Sequence, residues 1–201
     1  MIYADLHVHT KYSADASINP KAIVDQLYAH PIIKVVAITD HNTVEGYHKV
    51  QELASTYEDI LVIPAVEISA IGGDIIILGS AELPPEPWTV KNVIAFATER
   101  QALAIVAHPY RAYGLGDSAK NYAFDAVETL NGASASNVSK LAENLAREMD
   151  LPGVAGSDAH QTDELWSAYT EIQASPRVDE ILKAIKKGLI RTISAGKSIH
   201  F

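Results

Sequence analysis

Short apolar stretches alternate with amphipathic segments along most of the chain. Ile2, Ala4 and Leu6 alternate with polar residues at the two-residue period of a β-strand. Runs rich in β-branched residues, such as 34–39 and 60–66, predict further buried strands. Apolar residues spaced three and four apart predict helices instead, and these fall near residues 20–30, 44–54, 90–101, 136–146 and 178–187.

Strand and helix patterns follow one another about seven times, which favours a parallel sheet covered by helices. A glycine-rich phosphate-binding turn is missing after the first predicted strand, so an open dinucleotide-binding sheet is the weaker interpretation. Polar clusters follow many different strands, and a barrel brings many strand ends to one mouth. We therefore predict a small, distorted (β/α)7 barrel of the TIM type, formed by a single α/β domain over residues 1–201.

The composition of the chain limits the classes of partner and of active site that it can have. The chain has 25 acidic and 16 basic residues and a net charge of −9, so its surface should repel long nucleic acids. It has no cysteine, which excludes disulfides, thiolate nucleophiles and thiolate metal sites. No apolar run approaches the roughly 20 residues of a membrane span, and the first residues lack a signal-peptide pattern. We expect a cytoplasmic protein without a membrane or long nucleic-acid partner.

The candidate chemistry lies where the predicted strands end. His7 and His9 are two residues apart in an extended segment, so both imidazoles point to the same side and can reach one ion. Five of the eight histidines follow predicted strands in this way. His30, His48 and His200 do not, and we interpret them as structural or solvated. The polar residues at strand ends are His7, His9, Asp15, Asp40, His41, Glu67, His108, Asp158 and His160.

Imidazole and carboxylate ligands without thiolate suit Zn²⁺, Mn²⁺ or Fe²⁺. Asp5 and Asp40 adjoin candidate ligands, and we expect them to orient the imidazoles by hydrogen bonds. The eight remaining strand-end residues are too many for one ion, so two or three divalent cations are expected. A carboxylate such as Glu67 or Asp158 can bridge two cations, because each of its oxygens can bind one ion.

Five short motifs carry a resemblance to a known family. They are Asp5-Leu6-His7-Val8-His9-Thr10, Thr39-Asp40-His41, Val66-Glu67-Ile68-Ser69, Ala107-His108-Pro109 and Gly156-Ser157-Asp158-Ala159-His160. With these motifs in this order, the chain resembles the PHP family, named for polymerase and histidinol phosphatase. Members of that family are distorted seven-stranded α/β barrels with two or three metal ions at the mouth, and most characterised members hydrolyse phosphoesters.

The resemblance implies a division of the ligands among three ions. Many relatives have a further histidine in the strand after the glutamate, where this chain has Asp74. Asp74 is either a substitute ligand or an ordinary strand residue, and we expect the latter, which leaves the second ion poor in ligands. The implied groups are His7, His9, Glu67 and Asp158 for the first ion, Glu67 and His108 for the second, and Asp15, His41 and His160 for the third.

Together with the candidate ligands, the resemblance implies a metal-dependent phosphoesterase that acts on a small phosphorylated substrate, such as a nucleotide or a sugar or amino-alcohol phosphate. Two cations neutralise the phosphate and lower the pKa of a bound water toward about 7, which gives a hydroxide for in-line attack. The third ion, or His41 or His160 as a catalytic residue where that ion is absent, can assist the departing alkoxide. Arg111 and Lys11 are the basic residues that the sequence positions to clamp phosphate oxygens, and the loop 110–122 is the candidate substrate-facing lid.

Three other functions fit part of the pattern. A 5′–3′ exonuclease acting on short oligonucleotides would use the same chemistry, but the sequence shows no basic stripe. A C–N bond hydrolase of the amidohydrolase type adds a carboxylated lysine between its metals, and no lysine lies at a suitable strand end. A non-catalytic metal-binding module is also open, because the second group of ligands is small.

Overall fold

The computed structural model describes residues 1–195, which form nine strands, five α-helices and two short 3₁₀ helices. The strands are β1 (Ile2–Val8), β2 (Ile33–Ile38), β3 (Leu61–Ala70), β4 (Gly73–Leu78), β5 (Leu103–Val106), β6 (Ala126–Asn131), β7 (Gly153–Gly156), β8 (Ala168–Ile172) and β9 (Ile190–Ser194). The α-helices are α1 (Pro20–Ala29), α2 (Glu45–Ala54), α3 (Val90–Glu99), α4 (Ser136–Glu148) and α5 (Val178–Lys186), and the 3₁₀ helices are Gly116–Asn121 and Thr162–Glu164.

The strands form one sheet in the order β7-β6-β5-β4-β3-β2-β1-β8-β9. β1, β2 and β3 are parallel neighbours, and so are β5, β6 and β7. β4 is antiparallel to both β3 and β5, so it runs opposite to the other six strands of this set. Consequently Gly73, the first residue of β4, lies at the rim where the other strands end.

Residues after β7 close the sheet against β1. The N–H of Asp158 donates to the carbonyl of His7 over 2.8 Å, and the N–H of His9 donates to the carbonyl of Ala159 over 3.0 Å. Gly156 permits this approach, because a Cβ at that position would overlap the Cβ of His7. β1 to β7 therefore form a nearly closed barrel, and β8 and β9 extend the sheet beyond β1.

Small and branched side chains fill the barrel interior. Ile63 of β3, Ile76 of β4 and Ile105 of β5 are buried in one cluster, which α5 joins. Leu182 of α5 lies against Gly79, just after β4, so α5 covers the end of the barrel away from the mouth. The other helices pack outside, α1 and α2 on one cluster and α3 and α4 on another.

This architecture confirms the predicted TIM-like barrel and changes its details. The sheet has nine strands rather than seven, because β8 and β9 are added antiparallel to their neighbours at the β1 edge. The loop 110–122 contains a 3₁₀ helix over Gly116–Asn121 and is partly regular. No helix within residues 1–195 combines the length and the hydropathy needed to cross a bilayer.

Candidate functional site

A local irregularity in β1 turns His7 into the barrel mouth. The register of β1 against β2 shifts between Asp5 and Val8, and such bulges re-aim side chains. Leu6 packs in the barrel interior, and yet its neighbour His7 also faces inward, where it meets Glu67 of β3. His7 is fully buried, so its ring nitrogens depend on protein groups or an ion for their partners.

Four buried residues, His7, His9, Glu67 and Asp158, converge at the mouth, and we call them the inner group. Nε2 of His7 lies 3.1 Å from both Nε2 of His9 and Oε2 of Glu67. Oδ1 of Asp158 lies 3.3 Å from Nε2 of His7 and 3.2 Å from Nε2 of His9. The structure thus brings together the residues that the resemblance assigned to one ion.

Glu128, which the sequence analysis did not identify, decides which nitrogen of His7 is free. Its Oε1 lies 2.8 Å from Nδ1 of His7, and because a carboxylate only accepts, Nδ1 carries the proton and donates. Nε2 of His7 then presents its lone pair to the inner group. The only signal in the sequence was one charged residue in the otherwise unremarkable β6 strand, and Glu128 is in fact 1% exposed.

The inner group fits a small divalent cation. Imidazole lone pairs and carboxylates that face one another repel unless a positive charge lies between them. A tetrahedral ion with ligand bonds of about 2.0–2.1 Å separates its ligand atoms by about 3.3 Å, close to the 3.1–3.3 Å found here. In the metal-free protein, a proton on His9 can supply this positive charge. Burial lowers the pKa of His9, but its hydrogen bonds to Asp158 and Glu67 outweigh burial and raise the pKa to about 9.

A second set, the outer group, consists of His9, Asp15, His41 and His160. Oδ2 of Asp15 lies 3.3 Å from Nε2 of His160 and 3.5 Å from Nε2 of His41. Nδ1 of His160 donates to the carbonyl of Asp158 over 2.9 Å, which leaves Nε2 of His160 free toward Asp15. Burial alone would raise the pKa of Asp15, but His41 and His160 lower it overall. These four residues also offer nitrogen and oxygen ligands to a cation.

A third set of ligands surrounds Glu67. Its Oε1 lies 3.0 Å from Nε2 of His108, and Oδ2 of Asp74 lies 3.9 Å from the same nitrogen. Nδ1 of His41 lies 3.5 Å from Oε2 of Glu67 and has no hydrogen-bond partner among the described residues. Burial and the nearby Glu67 raise the pKa of Asp74 to about 6. The structure corrects the expectation that Asp74 is an ordinary strand residue, because the reversed direction of β4 turns its carboxylate into the mouth.

Two candidate ligands have left-handed backbones, with φ of 23° at His108 and 55° at Asp158. Such conformations cost a residue other than glycine about 1–3 kcal/mol and concentrate at functional sites. Hydrogen bonds maintain both of them. The N–H of His108 donates to Oε2 of Glu128 over 2.8 Å, and the N–H of Asp158 donates to the carbonyl of His7 over 2.8 Å.

The hydrogen bonds of Asp5 and Asp40 are made with backbone N–H groups and a hydroxyl group. Asp5 accepts from the N–H of Ser157 over 2.9 Å and from the N–H of Trp166 over 3.3 Å. Both oxygens of Asp40 accept from Thr10, from its N–H over 2.6 Å and its hydroxyl over 2.7 Å. Asp5 also accepts from the N–H of His7 over 3.3 Å, so these contacts of the two carboxylates are with backbone and hydroxyl groups, and their expected role in orienting the imidazoles stays a prediction.

Of the two predicted phosphate-binding residues, Arg111 reaches the mouth. Its Nη1 donates to Oδ1 of Asn131 over 2.9 Å and pairs with Oδ2 of Asp158. Lys11 is exposed, and its ammonium group lies 6.0 Å from the centre of the Tyr12 ring. The contact that the structure gives the Lys11 ammonium group is therefore with the Tyr12 ring and not with a candidate ligand.

The histidines that the sequence analysis set aside stay apart from these groups where they are described. Nδ1 of His30 accepts from the N–H of Ile33 over 2.8 Å. His48 lies on α2 with its ring 5.2 Å from that of Tyr47. His200 lies outside the described residues.

Sequence comparison gives two matches. A family model described as PHP-associated matches residues 139–190, a stretch from α4 into β9 that includes Asp158 and His160. The uncharacterized protein MJ1587 of Methanocaldococcus jannaschii is 34% identical to this chain over 140 residues, which cover 64% of this chain and 81% of that protein. The chain belongs to the PHP family. This confirms the resemblance that the sequence motifs carried.

Solved structures similar to this PHP protein agree on the fold. PsfC from Pseudomonas syringae PB-5123 has a TM-score of 0.72 at 16% identity, over 97% of this chain and 92% of PsfC. A Bifidobacterium adolescentis protein provisionally described as a metal-dependent phosphoesterase has a TM-score of 0.64 at 16% identity, over 78% of this chain and 87% of its own. An amidohydrolase from Chromobacterium violaceum, with bound sulfate and no metal, has a TM-score of 0.64 at 15% identity, over 79% and 87%. At these identities the likeness shows the fold.

Proposed function

We propose that this PHP protein is a metal-dependent phosphatase that hydrolyses small phosphate monoesters. The observation that carries the proposal is the inner group, whose buried ligand atoms lie 3.1–3.3 Å apart beside the guanidinium of Arg111. The Bifidobacterium adolescentis neighbour lends support, because it shares the fold and is provisionally described as a metal-dependent phosphoesterase.

Divalent cations, Zn²⁺, Mn²⁺ or Fe²⁺, are proposed for three sets of residues. When bound, they supply Lewis acidity toward phosphate oxygens and lower the pKa of a water molecule to about 7. Two of the three residues in the set with Asp74 are carboxylates, a higher share than in the other two sets, so this set suits Mn²⁺ better. The proposed sets are His7, His9, Glu67 and Asp158; Asp15, His41 and His160; and Glu67, Asp74 and His108.

The chain's own residues bind the phosphate and supply a proton. Arg111 is proposed to donate N–H groups to phosphate oxygens, and its side chain is 32% exposed toward the mouth. Hydrolysis joins the oxygen of water to phosphorus and breaks the bond from phosphorus to the leaving oxygen, which then takes a proton. We assign this proton donation to His41 or His160 in protein whose outer group holds no cation, because an imidazole nitrogen that binds a cation has no proton to donate; both residues are partly exposed, at 24% and 26%.

Two other reactions have less support. A C–N bond hydrolase of the amidohydrolase type would use a lysine between its metals, and the ion pairs that the candidate carboxylates form within residues 1–195 involve histidine or arginine rather than lysine. A nuclease would need basic residues along an oligonucleotide path, whereas the chain has a net charge of −9.

Metal reconstitution tests the proposal. Chelated protein should be inactive toward p-nitrophenyl phosphate and should recover hydrolysis when Mn²⁺, Zn²⁺ or Fe²⁺ is added. His7→Ala should fail to recover, whereas His48→Ala, a matched substitution on the exposed side of α2, should recover fully. Hydrolysis that persists without metal, or near-normal turnover by His7→Ala, would contradict the proposal.

A further inference from the structure

A cavity of about 430 Å³ opens beside the outer group, and the proposed chemistry leaves it without a role. Its inner wall includes Asp15 and His41, so it is continuous with the candidate metal site. Residues of the turn between β3 and β4, together with Tyr113, also line it. Its volume is within the usual range of small-molecule sites, about 300–1,000 Å³.

The cavity and Arg111 lie on different sides of the mouth. Arg111 contacts Asn131 at the end of β6 and Asp158 just after β7. The cavity lies at β3 and β4, which are separated from β6 by β5 in the sheet. A phosphate held between Arg111 and the ligand groups therefore has room for the remainder of its molecule on the β3–β4 side.

The packing of Tyr113 does not explain why a tyrosine occupies this position. Its carbonyl accepts from the N–H of Asp74 over 2.8 Å, which fixes the backbone against β4. Its φ is 61°, a left-handed value that glycine and asparagine adopt at lower cost than tyrosine. The side chain is nevertheless 82% exposed, so packing in the core does not account for a tyrosine at this position.

The walls of the cavity suit an uncharged ring. Among the described residues that line it, none is lysine or arginine, so it offers no partner to a second anionic group. Tyr113, an exposed aromatic residue, lines the cavity together with the small residues Ala70, Gly72 and Gly73. Ile71, between two of these lining residues, is 70% exposed and adds apolar surface at the rim. Flat rings stack on exposed tyrosines in this kind of setting.

We infer that this cavity is the leaving-group subsite and that Tyr113 stacks on an uncharged ring of the substrate. The inference rests on the proposed phosphatase function and names its substrate class. That class is the phosphate monoesters of ring-bearing, uncharged alcohols and phenols, as opposed to bisphosphates and short open-chain phosphates. Tyr113 is a binding residue in this scheme, and the proton transfer stays with His41 or His160.

Binding of non-hydrolysable phosphonates to the Mn²⁺-loaded protein tests the inference by calorimetry. Phenylphosphonate should bind about tenfold more tightly than methylphosphonate. Tyr113→Asn, which suits the left-handed backbone, should abolish this ratio and leave the affinity for methylphosphonate unchanged. Tyr113→Phe should preserve the ratio. Tyr122→Asn is the matched control, because Tyr122 follows the same loop, is 37% exposed and lies outside the lining of the cavity.

The outcomes separate the two proposals. Equal affinities for the two phosphonates, or a ratio that survives Tyr113→Asn, would overturn the subsite and leave the phosphatase proposal intact. Binding of neither phosphonate would overturn the phosphatase proposal and the subsite with it. A third probe, 4-carboxyphenylphosphonate, should bind more weakly than phenylphosphonate, because the described lining has no lysine or arginine to meet its carboxylate and contains the acidic residues Asp15 and Asp74. Tighter binding of this probe would contradict the inference that the ring is uncharged.

Discussion

The inner and outer groups share His9 but differ in their surroundings. All four members of the inner group are buried, whereas the side chain of Asp15 in the outer group is 52% exposed. Water can screen and satisfy the outer group when it holds no ion, but the inner group depends on protons or cations to offset its charges. The inner group should therefore bind its cation more tightly, and the outer group should exchange its cation more readily.

The strongest test of this difference is Glu67→Gln. The substitution keeps the shape of the side chain but removes a charge that faces His7, His9 and His108. We expect hydrolysis to fall by roughly 10³-fold, because two of the proposed cation sets lose a ligand. Elemental analysis after dialysis should show at least one ion fewer per chain. Glu143→Gln on the exposed face of α4 is the control, and equal metal content in the two variants would refute the shared role of Glu67.

Glu128→Gln should have the next largest effect. Glutamine can still accept from the N–H of His108, but its amide cannot reproduce the carboxylate that fixes the tautomer of His7. Loss of such an orienting carboxylate lowers metal affinity by about 10- to 100-fold. Competition with a metal-binding dye would measure the change. Unchanged affinity together with unchanged thermal stability would show that Glu128 does not orient His7.

The stability of the metal-free protein should depend on pH through the inner group. His9 has a pKa of about 9 here against an ordinary value of 6.5. A raised pKa means that its stabilising contribution is complete below about pH 6.5 and is lost as the pH rises through about 9. The free energy of unfolding should fall by roughly 1–3 kcal/mol over this interval. Denaturant titrations at several pH values in EDTA would measure it, and saturating Mn²⁺ should remove most of the fall, because the cation replaces the proton.

Asp15→Asn should have the smallest effect. It removes one exposed carboxylate from His41 and His160 and leaves the buried inner group untouched. We expect one ion to bind up to about tenfold more weakly, with stability changed by less than about 0.5 kcal/mol, as for most exposed substitutions. Calorimetric titration of the metal would detect the weakened site. If Asp15→Asn reduced hydrolysis and metal content as much as Glu67→Gln, the distinction between the two groups would fail.

The strand ends were predictable because the apolar pattern and the polar clusters coincide there. His7 and Glu67 each follow a recognisable apolar run, so a barrel necessarily brings them to one mouth. Asp74 was misjudged because it comes at the start of a strand. It enters the mouth only because β4 is reversed, and the pairing of β4 with β3 and β5 depends on contacts distant in sequence.

Glu128 shows a second limit of the pattern. Alternation within β6 indicates that Val127 and Glu128 face opposite sides, but it does not indicate which side is the mouth. The partner that makes Glu128 important, His7, is 121 positions away in the chain. For Asp5, adjacency to His7 suggested an imidazole contact, and the closure of the barrel gives it backbone partners from the segment after β7.

Glu67 is engaged through both of its oxygens, Oε2 toward His7 and Oε1 toward His108. An ion bound to one oxygen would fix the plane of the Glu67 carboxylate, and hence the direction in which the second oxygen points. Occupancy of adjacent positions is therefore thermodynamically linked, and each ion alters the affinity for the other by the same factor. The binding of one cation should therefore change the measured affinity for the next, so the cations should not bind as independent events.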